Sequence, residues 1–398
     1  MPIETHRKFL KQAPRRHVLL ALGWYARNLH HGVASYAREA NWSLNIEMER
    51  LARLPEQWRG QGVICVLGMD GNVDAKVKSW ALPTVSIGPV SAPNIPRVMP
   101  DHDEIGRLAY EHFFTRGFRH FAYFARSGGP GEQLRYEAFK AQVEHAGHTL
   151  HLIDWVSHAK APHAVHGPID EAWLSEQILS LPRPLAVLAE YDDRAIEVIE
   201  GCENAGLGVP EQVAVLGVDN DELRCEFAPV SLSSIDDDQQ LQGYEAARLL
   251  DRVISGEAVP EHTLISPRQA VTRVSTDILA IEQPHVAAAL RLIWDHYLEP
   301  LTAGDVSDAL PMSRRRLHDA FVRHVGRTIS EEIKRRRIEH AQRLLAKTPP
   351  IKLEAVARES GFPSGDRMAK VFVAMTGETP SAYRKRLRSD VIPHRDHQ

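Results

Sequence analysis

Side chains that could bind a polyanion are concentrated near the C-terminal end of the chain. Three consecutive arginines (residues 314–316) and His318 surround Leu317 and Phe321. These two apolar residues lie four positions apart and predict the buried face of a helix. Guanidinium and imidazole groups can bind phosphate oxygens and the edges of bases. The pattern therefore indicates a surface that binds nucleic acid.

The same pattern occurs a second time, where Met368 and Phe372 repeat the four-residue spacing. A shorter apolar helix precedes each copy, through Val306 in the first and through Val356 in the second. Pairs of this kind predict helix–turn–helix units, in which the first helix holds the polar face of the second toward a major groove. Ser313 and Ser364 are the predicted N-caps, because a serine hydroxyl accepts from an orphan backbone N–H.

A predicted helix from about residue 330 to residue 346 joins the two copies. One face carries an apolar stripe that runs from Ile333 to Leu345, and another face carries the four basic residues 334–337. A rigid connecting helix would fix the spacing of the two units, so that they meet successive grooves on one side of a duplex.

The closing signature, Gly361–Phe362, Phe372, Gly377-x-Thr-Pro380 and Tyr383-Arg, resembles that of the AraC/XylS family of transcription regulators. The resemblance implies a DNA-binding domain over residues 281–388, with double-stranded promoter repeats and RNA polymerase as partners and activation as the outcome. A generic basic helical bundle is the alternative interpretation of the segment.

The candidate DNA-binding residues divide by expected role. Base edges are assigned to Arg315, His318, Gly365, Asp366 and Lys370, and phosphates to Arg314, Arg316 and Arg367, with Ser364 as the second N-cap. Asp319 stands where the family most often has Arg or Lys. Its carboxylate could accept from a cytosine amino group.

Charge is distributed unevenly along the 398 residues, although the net charge is only −4. Residues 283–398 carry 21 Lys and Arg against 14 Asp and Glu, so this part is +7 and the remainder is −11. A basic module on an acidic body fits one part that meets phosphate and one that does not. The three scattered cysteines and the absence of a long apolar run favour a reduced, cytoplasmic, membrane-free protein.

Short apolar runs alternate with predicted helices from residue 17 to about residue 278, for example at 17–22, 62–67, 185–189 and 213–218. This alternation predicts an α/β fold with parallel sheets and right-handed crossovers.

This part resembles the two-lobed, periplasmic-binding-protein-like sensor of LacI/GalR-type repressors. The resemblance is carried by Arg107–Ala109, Gly117–His120, Leu134–Arg135, Val209–Pro210, Gly217–Asn220 and Gly243. It implies an effector domain over residues 17–280, between polar tails at 1–16 and 389–398. It also implies control by a monosaccharide, xylose or a related sugar, with no cofactor and no enzymatic activity. A homodimer is expected, because two reading domains on repeated half-sites gain affinity through effective concentration.

The effector should lie in the cleft at the carboxyl ends of the strands. Arg135 and Asp219 match the family's effector-contacting arginine and aspartate, and Asp192 follows a neighbouring strand. The first strand–helix loop supplies three more candidates: Trp24, Tyr25 and Arg27. The structural alternatives are an Arg135–Asp219 ion pair, Asp192 as a helix cap, and Trp24 and Tyr25 as core residues. Tyr191 departs from the family, which often has a polar amide there.

Other signals are interpreted as structural. His158, His163 and His166 fit no usual zinc spacing, and the glycine-rich loop 127–131 has no following Gly-Lys-Ser/Thr. The acidic run Asp236–Asp238 is predicted to be a solvated surface. A solute-binding protein, or a regulator whose vestigial cleft yields control to a protein partner, remains as an alternative function.

Overall fold

The computed structural model describes residues 15–23, 26–51, 53–68, 71–159, 167–280, 283–346 and 351–389. They form two compact units. The first unit contains the chain up to Tyr110 together with His120–Thr276, and the second contains Glu111–Arg119 and the chain from Asp277 onward. Most of the predicted tails, together with His163 and His166, lies outside the described residues.

The first unit contains two six-stranded sheets, here called lobe 1 and lobe 2, with strand orders β2-β1-β3-β4-β5-β11 and β7-β6-β8-β9-β10-β12. Every neighbouring pair is parallel except β10 with β12. The strands of lobe 1 are β1 (Arg16–Ala21), β2 (Trp42–Asn45), β3 (Gly62–Cys65), β4 (Thr84–Ile87), β5 (Arg97–Pro100) and β11 (His262–Ile265). Those of lobe 2 are β6 (His120–Ala125), β7 (Leu150–Asp154), β8 (Leu185–Ala189), β9 (Val213–Val218), β10 (Ser233–Asp236) and β12 (Gln269–Val271).

The central strands are buried on both faces, as their continuous apolar sequences predict. All residues of β8 and β9 are buried, and Leu20 of β1 lies opposite Ile64 of β3 inside lobe 1. The predicted α/β fold class is therefore confirmed.

Helices cover the sheets. Lobe 1 has α1 (Arg27–Glu39), α2 (Glu47–Leu51), α3 (Gly71–Ser79) and α10 (Gln239–Ile254). Lobe 2 has α4 (His102–Phe114), α5 (Pro130–His145), α6 (Trp155–Ala159), α7 (Glu171–Ser180), α8 (Asp192–Asn204), α9 (Glu222–Phe227) and a 3₁₀ turn at Val274–Thr276. Helices α1 and α10 cross closely because each has a glycine at the contact. A Cβ on Gly32 would lie 1.9 Å from the Gln240 carbonyl oxygen, and one on Gly243 would lie 2.2 Å from that of Leu29.

The chain crosses between the lobes at three places: after β5, after β10 and between β11 and β12. Backbone hydrogen bonds tie these crossings together, from Asp101 N to Ile265 O (2.8 Å) and from Arg268 N to Asp236 O (2.7 Å). These segments must act as the hinge of the first unit, because any change in the angle between the lobes has to occur in them.

The second unit is helical after residue 283. Its helices are α11 (Pro284–His296), α12 (Ala303–Asp308), α13 (Arg314–Val325), α14 (Ile329–Ala346), α15 (Leu353–Glu359), α16 (Gly365–Thr376) and α17 (Pro380–Ser389). It has two apolar cores that share α14. Ile329 and Ile333 belong to the first core and Ile338 to the second. The predicted connecting helix is thus confirmed, and it joins two separately packed helix pairs.

Residues 111–119, which include the last turn of α4, also belong to the second unit. Arg119 donates to the His324 carbonyl, and Arg116 lies over the Trp294 ring at 4.9 Å. Nothing in the sequence pattern indicated this assignment. No helix in the described ranges has the length and apolarity needed to cross a bilayer.

Candidate effector cleft and nucleic-acid interface

Arg135 is a buried cation in lobe 2. It lies on the second turn of α5 and is only 5% exposed. One guanidinium nitrogen donates to the Glu190 carbonyl, whereas the Nε atom has no hydrogen-bond partner among the described residues. Burial acts to lower the pKa of Arg135, but Tyr123, Asp219 and Asp237 outweigh burial and raise it. The side chain therefore remains charged and keeps a spare donor.

Two acidic groups share the electrostatic field of Arg135. Asp219 follows β9, and Asp237 lies on the second hinge crossing and is 3% exposed. Asp237 Oδ2 accepts from Gln242 Nε2 at 3.0 Å, and Oδ1 is buried without a hydrogen-bond partner among the described residues. No ion pair within 4.0 Å joins Arg135 to either carboxyl group in this part of the chain. The Arg135 guanidinium and the two carboxyl groups therefore lie near one another without forming a direct ion pair.

Burial is the main reason that the pKa of each acid is raised. The pKa of Asp237 rises to about 6 despite the opposing effects of Arg135 and Gln242. The pKa of Asp219 rises well above its ordinary value through burial, Asp237 and Asp192, with Arg135 opposing. Asp219 also has a φ of 106°, in the left-handed region that residues other than glycine rarely adopt. The turn that presents this carboxyl is therefore held in an uncommon conformation.

Asp192 has a different environment from these two acids. It is 1% exposed, and both carboxylate oxygens have protein donors: Ser234 Oγ at 2.5 Å, Asp221 N at 2.8 Å and Cys225 Sγ at 3.4 Å. Burial raises the pKa of Asp192 to about 7 in spite of these bonds. Because its partners lie on the turn after β9 and on β10, Asp192 braces the turn that carries Asp219.

Tyr191 and Glu190 organise the neighbouring loop. The Tyr191 hydroxyl donates to Glu132 Oε1 at 2.8 Å and also bonds with Ser127. The fully buried Glu190 carboxylate accepts from the backbone N–H groups of Arg126 (2.8 Å) and Ser127 (2.9 Å). Backbone N–H groups at the start of the glycine-rich loop therefore donate to the Glu190 carboxylate of the protein itself.

The remaining cleft candidates are less informative. Arg27 begins α1 and is exposed. Trp24 and Tyr25 lie outside the described residues. His158 stacks on Trp173 at 4.6 Å, and the described residues contain no group of three or more His, Cys, Asp or Glu arranged for a metal.

The prediction for the acidic run Asp236–Asp238 was wrong. Asp237 and Asp238 are 3% and 7% exposed, because the run is the second hinge crossing. Asp238 caps α10 by accepting from Leu241 N at 3.1 Å, and Arg268 on the third crossing pairs with its carboxylate at 2.7 Å. No sequence signal distinguishes Asp237, because a run of three acids usually marks a solvated surface.

On α13, the candidate DNA-binding side chains point away from the core. Leu317, Phe321 and Val325 are buried, whereas the side chains assigned to DNA are exposed: Arg314, Arg315, Arg316, His318 and Asp319. Arg314 forms an ion pair with Asp308 at 2.6 Å. Ser313 is the N-cap residue as predicted, but its hydroxyl does not make the expected capping hydrogen bond.

On α16, Ser364 caps the helix as predicted, and its hydroxyl accepts from Arg367 N at 3.3 Å. The Gly365 N–H donates to Glu354 at 3.2 Å. Asp366, Arg367 and Lys370 are exposed beside the buried Met368 and Phe372.

The basic face of α14 is turned largely into the protein. Arg335 donates to the fully buried Glu332 at 2.9 and 3.0 Å, and Arg337 donates to the Tyr297 carbonyl at 2.7 Å. The Trp294 ring lies 4.2 Å from the Arg336 guanidinium. These contacts rigidify the helix that sets the spacing of the two recognition helices.

Comparison with known proteins identifies both units. A periplasmic binding protein-like domain family matches residues 110–276, and a helix-turn-helix domain family matches residues 306–386. The xylose operon regulatory protein of Escherichia coli K12 is 28% identical over 379 residues, which are 90% of this chain and 94% of that protein. The protein of the same name from Haemophilus influenzae is 27% identical, over 90% of this chain and 95% of the relative.

A solved structure of the xylose-binding transcription activator XylR covers 94% of this chain and 98% of that one, at 26% identity and a TM-score of 0.57. The agreement extends through both units in the same chain order. The chain is a DNA-binding transcription regulator that combines a periplasmic binding protein-like domain with a C-terminal helix-turn-helix domain, and it is similar over 90% of its length to the xylose operon regulatory proteins.

Proposed function

We propose that a neutral monosaccharide, xylose or a related sugar, binds between the lobes of the first unit and controls DNA binding by the second. The observation that carries the proposal is that a donor, Arg135 Nε, and an acceptor, Asp237 Oδ1, are both buried without a hydrogen-bond partner among the described residues and lie within electrostatic reach of each other. Buried polar groups are normally satisfied, so groups left over in a cleft favour a polar ligand.

The chemistry of these groups favours sugar hydroxyls. A guanidinium only donates and an ionised carboxylate only accepts, whereas each hydroxyl can do both. Two acids facing one cation also disfavour an anion. We therefore expect a neutral sugar to bind in preference to a sugar acid or a sugar phosphate.

The relatives support this choice of sugar. Two curated relatives are named for the xylose operon, and the solved relative is described as a xylose-binding activator. For this chain we propose xylose or a closely related pentose as the effector, and transcription activation through RNA polymerase as the response. Such a regulator would act in the cytoplasm, and no catalytic role is proposed.

The DNA-binding half of the proposal rests on the exposed faces of α13 and α16. Helix α14 has 18 residues and joins the two helix pairs rigidly, which corresponds to a length of about 27 Å. Successive major grooves on one face of a duplex are about 34 Å apart, so two units held on such a helix suit one continuous site. A homodimer would place four such units on repeated half-sites.

A thermal-shift screen of the purified chain against pentoses, hexoses and sugar acids tests the effector. Xylose or a close pentose should raise the melting temperature, and sugar acids should not. Binding to a promoter fragment from the protein's own locus should change when the active sugar is added. If no sugar stabilises protein that still binds DNA, the cleft is vestigial and another partner controls it.

The division of roles on α13 can be tested separately. Arg315→Ala should cost about 1–3 kcal/mol at one base pair and relax sequence preference there. Arg316→Ala is the matched control and should weaken binding to all sequences alike. Binding titrations on a set of single-base-pair variants distinguish these results, and a uniform loss for Arg315→Ala would make that residue a phosphate contact.

A further inference from the structure

His102 occupies the first of the three hinge crossings. It is the first residue of α4 and follows β5 after one intervening residue, where the chain passes from lobe 1 to lobe 2. The side chain is 7% exposed.

Both ring nitrogens of His102 are buried, and neither has a hydrogen-bond partner among the described residues. Burial, reinforced by the positive charge of Arg135, lowers the pKa of His102 to about 3. The ring is therefore neutral at physiological pH and carries one N–H donor and one acceptor nitrogen. Two unsatisfied groups on one enclosed side chain are uncommon in folded proteins.

The surroundings of His102 place it near Arg135, between residues of the two lobes. A Cβ on Gly131 would lie 3.9 Å from His102 Cε1 and 3.7 Å from Pro89 Cγ. Pro89 follows β4 in lobe 1, whereas Gly131 lies one turn before Arg135 on α5 of lobe 2. The imidazole thus lies where the two lobes approach each other, within the electrostatic reach of Arg135.

We infer that His102 binds the effector directly and determines its specificity, by donating one hydrogen bond to a sugar hydroxyl and accepting another. The inference rests on the proposed function and adds a residue that differs chemically from the others. Arg135 only donates and an ionised Asp237 only accepts, whereas His102 can do both. It therefore fits two neighbouring hydroxyls of defined orientation, so sugars that lack one of them should bind more weakly.

The position of His102 also connects recognition to movement. Asp101, the residue before it, is hydrogen-bonded to Ile265 at the end of β11. A sugar held by His102 would therefore be attached to the hinge itself, and filling the cleft would favour one angle between the lobes.

Calorimetric titration of the full chain with D-xylose tests the inference, using His102→Leu, His102→Asn and the wild type. His102→Leu should bind about 10- to 100-fold more weakly, because both hydrogen bonds are lost. His102→Asn should recover part of the affinity, since an amide retains a donor and an acceptor. His145→Leu, at an exposed position near the end of α5, is the control and should bind like the wild type.

A panel of D-xylose derivatives, each lacking one hydroxyl, gives the sharper result. The wild type should discriminate against the derivative that lacks a hydroxyl bound by His102, and His102→Leu should lose that discrimination only. Unchanged affinity and an unchanged derivative profile in His102→Leu would overturn the inference while the proposed function stands. If the wild type binds no sugar at all, the proposed function itself fails. Should His102→Leu not fold, the derivative profile of His102→Asn decides in its place.

Discussion

In the first unit, Arg135, Asp237 and His102 each keep at least one buried polar atom without a hydrogen-bond partner among the described residues, whereas in the second unit the fully buried Glu332 is surrounded by arginines. Arg335 lies 2.9 Å from the Glu332 carboxylate, Arg336 3.4 Å and Arg327 3.5 Å, and the Trp294 indole donates to it at 3.2 Å. Both regions bury charged side chains, but only the Glu332 carboxylate is compensated by several cations within 4.0 Å among the described residues. The first arrangement suits a ligand, and the second suits a fixed structural support.

The pKa values follow the same division. In the cleft, burial raises the pKa of Asp237 to about 6. In the second unit, burial also acts to raise the pKa of Glu332, but Arg335, Arg336 and Arg327 outweigh burial and lower it to about 2. Burial alone therefore does not decide the direction. The number of nearby cations decides the direction of the pKa shift. Three arginines stabilise the charge of Glu332, whereas only Arg135 stabilises that of Asp237.

The largest expected effect comes from removing the charge at the centre of the second unit. Glu332→Gln removes the buried counter-ion shared by Arg327, Arg335 and Arg336, of which only Arg335 and Arg336 keep Glu339, and should lower the free energy of unfolding of that unit by about 3–5 kcal/mol. Urea unfolding followed by tryptophan fluorescence measures the loss. Glu359→Gln, at an exposed position, is the control and should change stability by less than about 0.5 kcal/mol. Equal effects of the two substitutions would show that the cluster is not a structural support.

Removing the charge of Asp237 in the first unit should raise the stability of the protein, whereas removing that of Glu332 lowers it. Asp237 has a folded-state pKa of about 6 against an ordinary value of 3.8, so the native state binds its proton more tightly than the unfolded chain. The stability linked to this proton is present below pH 3.8 and is lost as the pH rises through 6. Asp237→Asn should therefore be more stable than the wild type by roughly 1–3 kcal/mol at pH 8.

That difference should vanish below about pH 4, where the wild-type carboxyl group is protonated in both states. Calorimetric unfolding of both proteins without sugar, from pH 4 to pH 8, provides the measurement. The titratable neighbours that remain are Arg135, Asp192, Asp219, Asp236 and Asp238. A difference that is constant with pH would assign the effect to packing rather than to the buried charge.

A smaller gain is expected from His102→Leu. The substitution replaces two buried, unpartnered nitrogens by apolar atoms of similar volume, and should raise the stability of the sugar-free first unit by about 1–2 kcal/mol. The sugar-free melting temperature measures it. A loss of stability would mean that His102 supports the fold, and would contradict the idea that the cleft leaves its polar groups for a ligand.

The smallest expected effect concerns the N-caps of the two recognition helices of the second unit. Ser364→Ala removes the hydrogen bond accepted from Arg367 N and should cost about 1 kcal/mol, whereas Ser313 makes no such bond and Ser313→Ala should change stability by less than about 0.5 kcal/mol. Urea unfolding of the two variants in parallel measures both values. Equal costs would contradict the difference between the caps.

The elements of both units followed from local sequence. A short, continuous apolar run is typical of a central strand, because such a strand is buried on both faces. Strands β8 and β9 form where runs of this kind occur. The spacing of Leu317 with Phe321 and of Met368 with Phe372 placed the buried faces of α13 and α16. The cap at Ser313 was the exception, because residue type shows that a hydroxyl is present but does not fix its rotamer.

The candidate cleft could be predicted only in part. Arg135 and Asp219 came from a resemblance and Asp192 from its position after a neighbouring strand, and in the structure both carboxylate oxygens of Asp192 are bound by protein donors. His102 and Asp237 gave no local signal. They lie 33 and 102 positions from Arg135, and the folding of two sheets around one hinge brings them together.

By itself, the sequence determined the alternation of strands and helices, the two recognition helices and the basic character of the second unit, because these depend on residues within a few positions of one another. Only the tertiary structure decided that the acids 236–238 form a buried hinge crossing, that residues 111–119 join the second unit, and that the arginines of α14 enclose Glu332. The physical reason is that burial and the identity of a charge's neighbours are set by contacts between distant segments, and no local pattern specifies them.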